Sequence, residues 1–263
     1  MTNVTVSKGE SPLVFGQPHS GLFIPPEIES RLNEAGRAKL DTDWHVDRLY
    51  DGLIDDVTVV KAEFHRYVID ANRDPSGKSL YPGQNTTGLT PLVTFDDEPI
   101  WADAPTAEEI EARRKTYHAA YHNALSDEIE RIKSLHGFAI LYDCHSIRSH
   151  LPFLFEGRLP DLNIGDNNGA TCAAEITNAV ESVCRAQDQY SYVVNGRFRG
   201  GWTTRHYGKP DKNVHAIQME IAQHCYLESE TPPFAYSNDK AAALRIVLKN
   251  ILEAAIDAAK RLY

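Results

Sequence analysis

Apolar positions along the chain fall into two rhythms. Short apolar or β-branched runs at 12–16, 57–62, 66–70, 138–143, 191–194 and 216–222 end at turn-forming or polar residues and predict buried strands. Helical spacing predicts helices over 43–55, 106–135, 169–187 and 238–261. The last has a continuous stripe, Leu244, Val247, Leu248, Ile251, Leu252, Ala255 and Ile256, behind the cap-forming Ser237-Asn238-Asp239. Strands alternating with helices favour an α/β fold whose sheet is covered on both faces. Residues 74–105 are rich in Pro, Gly, Thr and Asn and predict a long irregular segment, a functional loop or a lid. The glycine-rich stretch 196–205 predicts a second such loop.

Composition narrows the function more than the fold. A chain of 263 residues is long enough for one large domain, and no linker, composition break or repeat divides it, so 1–263 is expected to be a single domain. A net charge of −10 and a pI near 5.5 argue against binding nucleic acid or an anionic membrane through the general field. An anionic small substrate would have to be held by local arginines. The first residues have neither a basic start nor an apolar signal core, and no apolar stretch approaches the ~20 residues of a membrane span. Cys144, Cys172, Cys184 and Cys225 are scattered, with no C-x-x-C spacing. A cytoplasmic protein with reduced thiols is expected.

The chemistry gathers at strand ends. Leu13-Val14-Phe15 leads into Pro18-His19-Ser20-Gly21, and the run 138–142 leads into Asp143-Cys144-His145-Ser146. In open α/β sheets, sites form just beyond the carboxyl ends of strands. Two imidazoles delivered there suggest a shared metal ion. Catalytic zinc takes three protein ligands and leaves a position for water, so His19 and His145 need an acid. On a helix over 43–55 at ~100° per residue, Asp43 lies about 55° from the centre of the apolar stripe and Asp47 about 95° away. Asp43 is the better placed, with Asp47 as substitute. Iron, cobalt or manganese also suit such a donor set.

Glu220 is the candidate general base. Strand alternation over 216–222 puts Ile217, Met219 and Ile221 on one face and Gln218 and Glu220 on the other, and a carboxylate on so apolar a strand needs a partner or a cation. In the run 67–75, Asn72 and Arg73 follow β-branched residues and could clamp a substrate carboxylate. Arg199 and Arg205, in the glycine-rich stretch, are candidates for a second one. His118 and His122 stand four apart on the predicted helix 106–135, but no Glu follows His118 and both alternate with tyrosines, so they read as packing residues.

Taken together these segments resemble the N-formylglutamate amidohydrolase (N-formylglutamate deformylase) family. The matching pieces are Pro-His-Ser-Gly at 18–21, Asp-Thr-Asp-Trp-His-Val-Asp-Arg-Leu at 41–49 and Ile-Asp-Ala-Asn-Arg at 69–73. Tyr-Pro-Gly-Gln-Asn at 81–85, Tyr-His at 121–122, Asp-Cys-His-Ser at 143–146, Gly-Gly-Trp-Thr-Thr-Arg at 200–205 and Gln-Met-Glu-Ile at 218–221 complete the set. The resemblance implies a three-layer α/β/α fold with a mixed sheet, zinc-carboxypeptidase-like (phosphorylase/hydrolase-like). It also implies zinc-dependent hydrolysis of N-formyl-L-glutamate to formate and L-glutamate, in histidine degradation. The chain departs from the metallocarboxypeptidase pattern of a His and a Glu three apart, because Leu22 stands three after His19. Asn72 and Arg73 resemble the pair that holds a substrate α-carboxylate in those relatives. Asp143, two before His145, is placed to orient a ligand. An amidase for another N-acyl acidic amino acid, or a non-catalytic carboxylate-binding protein, are the alternative readings.

Overall fold

The computed structural model describes residues 2–79 and 83–263; Tyr81 and Pro82 of the Tyr-Pro-Gly-Gln-Asn run lie outside the described residues. The strands are β1 (Val4–Ser7), β2 (Leu13–Gln17), β3 (Thr58–Ala62), β4 (Ala139–Ile147), β5 (Leu162–Gly165), β6 (Tyr192–Val194) and β7 (Val214–Ala222). They form one sheet in the order β1-β3-β2-β4-β7-β5-β6. The four central strands, β3, β2, β4 and β7, run parallel, while β1 joins β3 and β5 joins β7 in antiparallel fashion. The sheet is therefore mixed, as the family resemblance implies.

Every residue of β4 and β7 is buried. Strands covered on both faces carry near-continuous apolar runs; apart from His215 at the start of β7, the polar exceptions (Asp143, His145, Ser146, Gln218 and Glu220) lie from the middle to the carboxyl ends of these two strands. Helices supply the two covers. On one face α3 (Val46–Tyr50), α6 (Ala174–Arg185) and α8 (Asn238–Lys260) pack Leu49, Ile176, Leu248 and Leu252 against Ile140, Tyr142, Ile217 and Met219. On the other face α4 (Ala107–Arg113) passes through a π-helical turn, Arg114–His118, into α5 (Ala119–His136). There Tyr121, Leu125, Ile129 and Ile132 meet Val14, Val60, Leu141 and Ala216. The architecture is α/β/α. A capping box starts α4: Glu109 N donates to Thr106 Oγ1, and Thr106 N donates to Glu109 Oε2. Gly137, at φ 79°, ends α5 in the left-handed conformation that glycine adopts without penalty.

Several predicted elements differ from those observed. Residues 66–70 are a turn and coil, not a strand: Val68 N closes on the His65 carbonyl, and Asp70 N donates to the Leu89 carbonyl. Tyr67, Val68 and Ile69 are buried, but in the second apolar core and without a sheet partner, a distinction that a short apolar run does not encode. The helix expected over 43–55 shrinks to Val46–Tyr50, because His45 adopts φ 58° before it and Gly52 φ 65° after it. The sequence pattern also did not predict β1, β5 or the short helices α1 (Pro26–Glu29), α2 (Glu34–Arg37) and α7 (Trp202–Tyr207). The segment 74–105 is irregular throughout its described residues. Among the described residues no helix is long and apolar enough to cross a membrane.

Candidate active site

The carboxyl ends of β2, β4 and β7 bring three donors to one point. His19 stands two residues beyond β2, His145 lies near the end of β4, and Asp43 occupies the turn that leads into α3. One ligand atom from each of the three lies within 4.8 Å of the others, and all three residues are buried. Asp43 Oδ2 is 3.7 Å from His19 Nδ1 and 3.2 Å from His145 Nδ1. Asp47 is elsewhere, paired with Lys61 on β3 at 2.7 Å. The β4–β7 register sets Glu220 directly beside His145.

The surrounding carboxylates orient both imidazoles. His19 Nε2 donates to Asp70 Oδ1 at 2.7 Å. That bond fixes the tautomer and leaves the Nδ1 lone pair facing Asp43, where it is buried without a hydrogen-bond partner. His145 Nε2 is 3.1 Å from Asp143 Oδ1, a buried oxygen that likewise has no hydrogen bond of its own, while Thr204 holds the other Asp143 oxygen. Asp43 is held from behind, since its Oδ1 accepts from Arg66 Nη2 at 2.9 Å and its Oδ2 from Ser146 N at 3.1 Å.

Charge balance also favours a cation. Asp43, Asp70, Asp143 and Glu220 are all buried carboxylates, and the guanidiniums among them are Arg66 and Arg73. With Glu220 ionised and both imidazoles neutral, the states in which they serve a metal, a divalent ion would bring that sum to zero; without it a proton on His145 and one on Glu220 take its place. Burial raises the Asp43 carboxyl, but Arg66 and His19 outweigh it and hold it below the usual carboxylate range. Burial works against a charged His145, yet Asp143 and Asp43 hold its imidazole well above the ordinary value. Glu220 goes the other way: burial, helped by Asp43, pushes it up to about 8 against His145 and Arg66. Two imidazole nitrogens and a carboxylate, each oriented by a second group, fit a divalent transition metal with an open position.

A cavity of about 290 Å³ opens onto this cluster and is lined by His19, His145, Glu220, Arg66, Asn72 and Arg73, among others. Asn72 bridges the parts: its Nδ2 lies 3.1 Å from His145 Nε2, and its Oδ1 accepts from Thr203 N at the start of α7. Gly201 is required here, because a Cβ would fall 2.3 Å from Asn72 Nδ2. Arg73 is fixed by Thr87, whose carbonyl accepts from Nε and whose hydroxyl accepts from Nη2, both at 2.9 Å. His118 and His122 do not join the cluster. They donate to the Arg73 and Ala71 carbonyls, at 3.0 and 2.7 Å, and brace the loop that carries Asn72. Arg199 and Arg205 are not among the residues lining the cavity; Arg197 is. Sequence reasoning missed Arg66, Asp70 and Arg197. Asp70 sits inside the Ile-Asp-Ala-Asn-Arg run, and that adjacency was its only signal. Among the described residues one other donor group forms, half-buried Asp161 and His224 with buried Cys225, with His224 Nε2 2.8 Å from Asp161 Oδ1.

The family model described as N-formylglutamate amidohydrolase matches residues 11–227, a span that contains every residue of the cluster and the cavity wall described above. The chain belongs to the N-formylglutamate amidohydrolase family. Within it, the chain is 44% identical over 253 residues to the N-formylglutamate deformylase of Pseudomonas aeruginosa, covering 95% of this chain and 94% of the relative. The N-formylglutamate deformylase of Pseudomonas putida is also 44% identical, over 94% of this chain and 93% of the relative. The crystal structure of N-formylglutamate amidohydrolase from Ralstonia eutropha JMP134 superposes with a TM-score of 0.80 at 26% identity, covering 97% of this chain and 98% of that one. The fold likeness to the Ralstonia structure thus extends over nearly the whole chain, beyond the span of the family model.

Proposed function

We propose that this chain hydrolyses N-formyl-L-glutamate to formate and L-glutamate, a step of histidine degradation, with a zinc ion held by His19, Asp43 and His145. The observation that carries this reading is the convergence of those three donors, within 4.8 Å of one another, beside Glu220. Zinc suits two imidazoles and one carboxylate. When bound, it supplies Lewis acidity, activating water and polarising the formyl carbonyl.

The rest belongs to the chain's own groups. Glu220 accepts the proton of the attacking water and delivers it to the departing amine nitrogen, a sequence suited to a carboxyl whose pKa burial has raised. Arg66, on the cavity wall, adds positive charge where the oxyanion develops. Asn72 and Arg73 hold the α-carboxylate, so the scissile amide lies between the clamp and the Glu220 carboxyl. Asp70 at Nε2 of His19, and Asn72 with Asp143 nearby at Nε2 of His145, keep the imidazoles turned so that each Nδ1 would be free to hold the ion.

Formate release from N-formyl-L-glutamate tests the reading, measured before and after removal of metal by a chelator. Activity is expected to fall to background and to return with one equivalent of zinc. Activity that survives complete chelation would remove the metal from the account. Acetyl- and succinyl-glutamate run in parallel report the acyl preference, and faster turnover of either would reassign the substrate.

A further inference from the structure

On the reading of this cavity as an N-formylglutamate site, the substrate brings two carboxylates into a chain of net charge −10. The cations nearest the donor cluster already face buried acids. Arg66 Nη2 is 2.9 Å from Asp43 Oδ1, and Arg73 Nη1 is 3.6 Å from Asp70 Oδ2. Together with Asn72, they account for the α-carboxylate and the reacting carbonyl. A second carboxylate, three bonds further along the side chain, needs another partner.

The loop between β6 and α7 supplies one. Arg197 lines the same cavity, beside Phe198. Its Nε donates to the Leu154 carbonyl at 2.9 Å and its Nη2 to the Asn85 carbonyl at 3.0 Å, and both of those residues line the cavity as well. Asn85 Nδ2 in turn donates to the Phe153 carbonyl at 2.8 Å, so three separate segments of chain meet around this guanidinium. A planar fork anchored in this way loses little freedom on meeting a carboxylate. The neighbouring Phe198 and Leu154 lower the local polarity and so strengthen the attraction. The same loop is tied to the α-carboxylate clamp, since Gly201 packs on Asn72 and Gly201 N donates to Gln218 Oε1 at 2.6 Å. The separation of the two anion sites is thereby built into the backbone. Arg199 and Arg205 flank that anchor but do not line the cavity.

We propose that Arg197 reads the side-chain carboxylate of the substrate, and that this contact makes the site selective for N-acyl dicarboxylic amino acids. The pair of probes is N-formyl-L-glutamate and N-formyl-L-glutamine, which differ in charge and hardly in size. The wild type is expected to prefer the acid by about 100-fold in kcat/KM, the scale of a charge pair formed out of water. Arg197→Gln should lower kcat/KM for formylglutamate by about the same factor, chiefly through KM, and change formylglutamine by less than about threefold. The preference then collapses. Arg197→Lys, which keeps charge without the fork, should retain part of it.

An Arg197→Gln variant that loses both substrates equally, or that keeps the preference, overturns the assignment. Should that variant fail to fold, Arg197→Lys decides: a preference reduced by about tenfold supports the role, and an unchanged preference overturns it. A wild type that turns over formylglutamate while the variant's preference stays intact removes only Arg197. A wild type inactive on formylglutamate removes the proposed function, and the assignment with it.

Discussion

Replacing Glu220 by glutamine is expected to lower turnover of N-formyl-L-glutamate by about 10²- to 10⁴-fold, the range spanned by a positioned general base, while the bound metal is retained. Glutamine keeps the shape and the hydrogen bond from Gln218 Nε2, which now reaches Glu220 Oε2 at 3.1 Å, but it cannot accept a proton. Glu220 is not one of the three converging donors, so metal content should not change. The pH profile carries the same information. With the protein's own groups alone the carboxyl sits at about 8, raised first by burial; a divalent cation beside it brings the value down. Only the ionised form is a base, so wild-type kcat/KM should fall about tenfold per pH unit on the acid side of that pKa and level off above it. The glutamine variant should lack this limb. Near-normal turnover in the variant would take Glu220 out of the base role.

His19→Asn should remove the ion and, with it, activity by about a thousandfold or more, corresponding to several kcal/mol of Lewis-acid stabilisation. His19 is the donor whose loss disturbs the fold least. Among the described residues its Nδ1 has no hydrogen-bond partner, and its Nε2 meets Asp70. That carboxylate keeps compensating charge from Arg66 Nη1 at 3.8 Å and Arg73 Nη1 at 3.6 Å. Asp43→Asn would be a poorer test, because it removes the nearest carboxylate partner of the buried Arg66, and breaking a buried pair costs about 3–5 kcal/mol by itself. Elemental analysis alongside thermal melting separates the two effects. A His19→Asn protein that still holds one equivalent of zinc would contradict the ligand assignment.

Much of this arrangement is legible in the chain, though not always for the reason the pattern suggests. The strand ends at His19, His145 and Glu220 can be read because β2, β4 and β7 are, apart from His215, apolar up to the stretch where they meet the site. Asp43 stands with the imidazoles and Asp47 does not, but not because of helical phase: residue 43 precedes the helix, and His45 in the left-handed conformation turns the chain there. Asp70 and Arg66 escaped notice because their importance lies in which ring nitrogen and which carboxylate oxygen they touch. Choosing among Arg197, Arg199 and Arg205 has the same difficulty. In an irregular loop no period says which side chain faces inward, and that orientation comes from the Leu154 and Asn85 carbonyls, remote in sequence.

A crystal grown with zinc and measured at the zinc absorption edge tests the central claim most directly. One strong anomalous peak is expected about 2.0–2.2 Å from His19 Nδ1, His145 Nδ1 and an Asp43 carboxylate oxygen, distances normal for zinc on nitrogen and oxygen. A map without that peak, or with the ion only at Asp161, His224 and Cys225, would contradict it.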